Sequence, residues 1–273
     1  MVGTGISRTN DTAPSARLTK ILRHLRNGGR LWLLLDYDGT LVPVAPTPAE
    51  AVPDPGLLEL LSRLVQIDAM CVAVVSGRSL ASLKPMLPVP NLILAGIYGV
   101  EIQIGEHIES DVLNPQEMRK KIDEVKSAWA QIIVDRPGFW LEDKRFALAL
   151  HGRFADPPTA DIVFSQAREK LAEIAVDEFR ILGGERFLEI APASASKGKA
   201  VEWLLEHMPL ADALPVYFGD DDKDEEAFLV VKQLGGIPIG VGKPRSATTH
   251  AVERLASPSD LRMWLESFLQ AAP

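Results

Sequence analysis

Five apolar residues, Leu31-Trp-Leu-Leu-Leu35, stop abruptly at an acid, Asp36. A continuous apolar run of strand length has no polar face to offer water. It must be covered on both sides, as in a parallel sheet between helices. The pattern recurs: Met70 to Val75 ends at Ser76-Gly77-Arg78, and Leu92 to Ala95 reads as a third strand. Between the first two, Asp54-Pro-Gly56 reads as a helix start, followed by Leu57, Leu58, Leu61, Leu64 and Val65 at helical spacing. Beyond Ser196 come a helix through Trp203 to His207 and apolar strands at Pro215–Phe218 and Ile237–Val241. This β-α-β rhythm argues for an α/β fold with a parallel sheet.

The middle of the chain has another texture. Met118, Ile122, Val125, Trp129 and Ile132 share one helical face, and Val163, Ala167, Leu171 and Ile174 repeat the pattern over Asp161–Ala175. Phe139 to Leu150, with Phe146, Leu148 and Leu150 alternating, is expected as one half-buried strand. Phe179 to Ile190 is expected as a hairpin turning at Gly183-Gly184. The economical organisation is a loose tail over 1–16, a core domain over 17–111 and 192–273, and an inserted α+β cap over 112–191.

Composition narrows the function classes. At 273 residues, 47% hydrophobic and 24% charged, the chain can bury a real core, which excludes disordered and fibrous classes. Cys71 is the one cysteine, so an internal disulfide and Cys-rich zinc sites are excluded, and a reducing, cytoplasmic compartment fits. A net charge of −8 argues against nucleic-acid partners and polybasic membrane patches. No apolar run approaches a membrane span, and residues 1–16 do not read as a secretory signal.

Four segments carry the candidate chemistry. Asp36-Tyr-Asp38-Gly-Thr40 places two carboxylates at a strand's carboxyl end, where both can face a ligand crevice; a turn whose acids are satisfied by backbone amides fits equally. Ser76-Gly77-Arg78 offers a hydroxyl and free amides for phosphate oxygens, or is a plain strand-to-loop turn. Ser196-Lys197-Gly-Lys199 opens a helix, a natural anion site, though a solvated lysine there is commoner. Gly219-Asp220-Asp-Asp-Lys-Asp224-Glu225 crowds acids that repel one another unless a cation neutralises them, or else is a solvated loop.

Together, in this order, the four segments resemble the motifs of the haloacid-dehalogenase-like phosphatases. That resemblance implies a Rossmann-like core with an inserted cap. It also implies Asp36 as nucleophile, Asp38 as acid/base, and Ser76, Gly77 and Lys197 on the phosphoryl group. An Mg²⁺ site would be held by Asp36, the Asp38 carbonyl and Asp220, with Asp224 supporting its waters. Glu142-Asp-Lys144, His151-Gly-Arg153 and Glu189 within the insert resemble, more narrowly, the trehalose-6-phosphate phosphatases. There the implied lid residues on glucosyl hydroxyls are Glu142, Lys144 and Glu189, with Arg78 and Arg153 as further substrate contacts. The substrate is then trehalose 6-phosphate, with a functional link to a trehalose-6-phosphate synthase. Sucrose-phosphate and glycosyl-phosphoglycerate phosphatases are the nearest alternatives; a non-catalytic sugar-phosphate-binding subunit is a third. Two positions depart from the family pattern: Tyr98 precedes Gly99 where His is usual, and Lys223 replaces the common Thr.

Overall fold

The computed structural model describes residues 16–174, 178–184, 186–244 and 248–271. The expected tail lies outside the described residues except for Ala16, which begins the first helix. In chain order that helix, α1 (Ala16–Arg26), leads into β1 (Arg30–Leu35), α2 (Pro55–Leu64), β2 (Met70–Val75) and α3 (Leu80–Met86). Next come β3 (Ile93–Gly96), β4 (Glu101–Ile104), β5 (His107–Ser110) and α4 (Pro115–Ile133). Strands β6 (Trp140–Asp143) and β7 (Leu148–His151) precede α5 (Pro157–Ile174), followed by β8 (Phe179–Gly184) and β9 (Phe187–Pro192). The chain returns through α6 (Lys197–His207), β10 (Ala213–Gly219), α7 (Glu225–Gln233), β11 (Ile237–Val241), β12 (Glu253–Leu255) and α8 (Pro258–Ala271).

Eight strands form the main sheet in the order β12-β11-β10-β1-β2-β3-β4-β5. It is parallel from β12 to β3, and β4 and β5 add an antiparallel edge. The run at Leu31 is buried on both sides, as expected of a central parallel strand. Leu31, Leu33 and Leu35 pack towards α1, α2 and α8, while Trp32 and Leu34 pack towards α6 and α7. Chain order reverses beside β1, so the crevice outside its carboxyl end is the default ligand site of such a sheet.

The second sheet, β6-β7-β9-β8, is antiparallel. Leu148, Leu150, Leu188 and Ile190 bury one face against α4 and α5 through Trp129, Val163, Ala167 and Leu171. Period-two alternation therefore sends Trp140, Glu142, Phe187 and Glu189 to the other face.

Two local expectations are corrected. Phe139–Leu150 is not one strand but a hairpin, because the chain turns at Arg145, whose φ is +73°. The Asp143 carboxylate accepts the Arg145 N–H at 3.0 Å, an Asx turn that breaks the alternation. Phe146 consequently joins Ile97 and Tyr98 at the junction of the two sheets. Gly183 and Gly184 are the last residues of β8, paired with Leu188 and Phe187. The reversal therefore follows them, before Phe187, and residue 185 lies outside the described residues.

Candidate active site

Three neighbouring strands and one helix deliver their ends to one crevice. Leu35 ends β1 and presents Asp36; Val75 ends β2 and presents Ser76; Gly219 ends β10 and presents Asp220. Helix α6 opens with Lys197, with Ser196 as its cap, whose hydroxyl accepts the Lys199 N–H. Lys197 Nζ donates at 2.6 Å to both Asp36 Oδ1 and Asp224 Oδ1. All three side chains are buried. Burial works to discharge Lys197, but Asp224 and Asp36 outweigh it and hold the ammonium well above its ordinary range. Asp36 is pushed up, first by burial and then by Asp224, Asp220 and Asp221, with Lys197 opposing.

The acid loop is built, not merely solvated. Asp224 Oδ1 also accepts the Tyr217 hydroxyl at 2.7 Å, and its Oδ2 accepts the backbone N–H groups of Asp220 and Asp221 at 2.9 and 3.0 Å. That carboxylate is committed on both oxygens and shapes the loop that carries Asp220. Asp221 caps the next turn and binds Lys223; against burial, Lys197 and then Lys223 hold its pKa down to about 2. Carboxylate oxygens of Asp36, Asp220 and Asp224 lie within 4.8 Å of one another. Asp36 Oδ2 is buried with no hydrogen-bond partner. An orphaned anionic oxygen amid several acids fits a hard divalent cation, which prefers carboxylate oxygens. Gly39 makes room for the cluster: its φ is +85°, and a Cβ there would stand 2.2 Å from Asp220 Oδ2.

Asp38 lies apart from the cluster. Arg78 grips it bidentately, Nε and Nη2 each 2.7 Å from one carboxylate oxygen, and Nη2 also reaches the Pro48 carbonyl at 2.8 Å. Arg78, expected on substrate, thus directs its guanidinium to Asp38. Ser76 is buried and accepts the Arg78 N–H at 3.2 Å, and Gly77 lies beneath the Tyr98 ring.

The second sheet faces this crevice. Glu189 is fully buried and binds Lys144 Nζ at 2.7 Å, and Lys144 lies 3.9 Å from Glu142. Glu142 Oε2 accepts from the ring Nε2 of His151 at 2.9 Å, and that ring stacks on Trp140, with centroids 4.6 Å apart. Burial raises Glu142, and His151 and Lys144 more than offset it. A cavity of ≈ 410 Å³ lies between the layers, walled by Thr47, Arg78, Trp140 and Glu142. Arg153 turns its guanidinium to the Ala45 carbonyl at 2.8 Å, linking the two layers. Cys71 is half-buried with its thiol pushed up to about 11, which suits packing rather than nucleophilic attack.

Sequence reasoning missed the Arg78–Asp38 clamp, the Tyr217 support of Asp224, and the roles of His151 and Tyr98. A tyrosine in the family's usual histidine position was the one available signal, for Tyr98.

The trehalose-phosphatase family model matches residues 34–261. Trehalose-6-phosphate phosphatase of Escherichia coli is 32% identical over 239 residues, covering 86% of this chain and 85% of that protein. Among solved structures, the C-terminal domain of Candida albicans trehalose-6-phosphate phosphatase superposes with a TM-score of 0.80 at 23% identity, over 96% of this chain and 99% of that one. Aspergillus fumigatus trehalose-6-phosphate phosphatase gives 0.65 at 27% identity, over 95% and 99%. Among the described residues, no helix is long and apolar enough to cross a membrane.

Proposed function

Since the chain belongs to the trehalose-phosphatase family of haloacid-dehalogenase-like phosphatases and is a phosphomonoester hydrolase, we propose that it hydrolyses trehalose 6-phosphate, with Mg²⁺, through a phospho-aspartate on Asp36. The observation that carries this reading is the pairing of Asp36 with Lys197 at the floor of a crevice roofed by Glu142, Lys144 and Glu189. Asp36, the Asp38 carbonyl and Asp220 would hold the cation, with Asp224 supporting its waters. When bound it neutralises phosphoryl oxygens and keeps Asp36 ionised.

The chain's own groups account for the rest. Lys197 draws a phosphoryl oxygen towards Asp36, while Ser76 and Gly77 bind the other oxygens. An Asp36 oxygen bonds to phosphorus as the bond to the sugar oxygen breaks, and Asp38 gives that departing oxygen its proton. Asp38, now a carboxylate, takes a proton from water, whose oxygen attacks phosphorus and frees Asp36. Arg78 keeps Asp38 aimed through both transfers. We read residues 112–191 as the lid, with Glu142, Lys144 and Glu189 as its sugar-reading set and Arg153 tethering it to the core.

Phosphate release across a panel of sugar phosphates, with and without EDTA, tests the proposal. Trehalose 6-phosphate should be turned over best, and Mg²⁺ should restore activity after EDTA. Faster turnover of sucrose 6-phosphate or a glycosyl phosphoglycerate would move the assignment to those enzymes. A reducing cytoplasm and a functional link to a trehalose-6-phosphate synthase complete the reading.

A further inference from the structure

Tyr98 touches the loop after β2, the cap of α6 and Glu189 of the second sheet, yet the mechanism above gives it no role. Its N–H donates to the Ser76 carbonyl at 2.8 Å, and its carbonyl accepts the Ser196 N–H at 3.0 Å. The backbone of this residue therefore splices the phosphate loop after β2 to the cap of the helix carrying Lys197. Its ring lies over Gly77 so closely that a Cβ there would stand 2.6 Å from Tyr98 Cζ. Its hydroxyl crosses between the layers and donates to Glu189 Oε2 at 2.8 Å.

The backbone is held in an unusual state to do this. Tyr98 has φ +57° and its neighbour Ile97 has φ +50°. Side chains of L-residues avoid that region, and residues stay there only where surroundings over-determine them. Burial and Glu189 hold the hydroxyl protonated well above its ordinary range, so it remains a donor at neutral pH.

Glu189 is fully buried, and each of its oxygens has one partner: Lys144 on Oε1 and Tyr98 on Oε2. It is thus placed to aim Lys144, and its own aim depends on Tyr98.

We propose that Tyr98 is a positioning residue for the sugar-phosphatase reaction: without touching substrate, its hydroxyl fixes Glu189, and through it Lys144, at a set distance from the phosphoryl pocket of Ser76 and Lys197. This rests on the trehalose 6-phosphate reading for its substrate. A small aryl phosphate uses the pocket alone and has no need of the linkage.

Tyr98→Phe keeps the ring on Gly77 and removes only the hydroxyl. On trehalose 6-phosphate, kcat/KM should fall about tenfold or more, mainly through KM, while turnover of p-nitrophenyl phosphate changes by less than about threefold. In a Glu189→Gln background the same substitution should add less than about threefold, because both changes break one chain of contacts. The cycle read as melting temperature, with no substrate present, should likewise be non-additive. Equal losses on both substrates, losses that multiply, or no loss would overturn the assignment. If wild type ignores trehalose 6-phosphate, the substrate reading fails by itself, and additive melts would then overturn the Tyr98 linkage.

Discussion

Replacing Gly39 with alanine tests whether Asp220 holds a metal. The added Cβ would lie 2.2 Å from Asp220 Oδ2 and 2.4 Å from its Cγ. Non-bonded carbon contacts settle near about 3.5 Å, so the carboxylate must retreat by about 1 Å. A misplacement of that size in a reacting constellation costs about a hundredfold. The backbone adds strain: an L-residue at φ +85° loses roughly 1–2 kcal/mol. In a chain of this length that lowers the melting temperature by roughly 2–8 °C. Initial rates of phosphate release against Mg²⁺ concentration, run beside Asp220→Ala, separate the two effects. Gly39→Ala should need more Mg²⁺ for half activity and approach the Asp220→Ala curve at saturation. A variant that melts lower but keeps wild-type Mg²⁺ dependence, with kcat/KM within about threefold, would remove Asp220 from the metal site.

Asp36→Asn should abolish phosphate release while circular dichroism stays unchanged, because the amide is a far poorer nucleophile; activity within a few-fold of wild type would refute the assignment. Lys144→Ala leaves the buried Glu189 without its ion-pair partner, only the Tyr98 hydroxyl remaining on it, which should cost about 3–5 kcal/mol, and an unchanged melting temperature would show the pair to be dispensable. Glu142→Ala should lower kcat/KM on trehalose 6-phosphate about tenfold to a hundredfold and spare p-nitrophenyl phosphate; equal effects on both would assign Glu142 to general lid support. Asp143 is held far below the usual carboxylate range, by Arg119 first and then Lys126, against some burial. Its ionised form therefore favours the fold, fully above about pH 4, and that contribution drains away as pH falls through the folded-state value. Asp143→Asn should melt below wild type at neutral pH by a few degrees and converge with it in acid; a constant gap would refute the linkage.

The main sheet and the floor of the site were legible because their signals are local. Leu31–Leu35 cannot be half-exposed, and whatever follows a buried parallel strand emerges at the crevice, so Asp36, Ser76 and Asp220 announced their places through the runs before them. Lys197 was legible for the same reason, as the first residue after a helix cap. The four segments also resemble one family's motifs, which attached chemistry to positions that pattern alone left open between a site and a turn.

Tertiary structure decided how those side chains are spent. Periodicity says which face a residue occupies but not which strand lies opposite, so nothing local joins Trp140 to His151 or Tyr98 to a carboxylate 91 residues away. The hairpin at Arg145 was hidden because the charged run Glu142-Asp-Lys-Arg145 holds no glycine or proline to mark a reversal, while an Asx turn and a positive φ redirect the chain. Arg78 could have reached outward to substrate; only the approach of two strand ends, 40 residues apart, turns it onto Asp38. Asp224 is likewise a scaffold because Tyr217 and two backbone amides converge on it. Hydrogen bonds are directional and short, and their partners are set by folded geometry, which residue order constrains only within a strand or a turn.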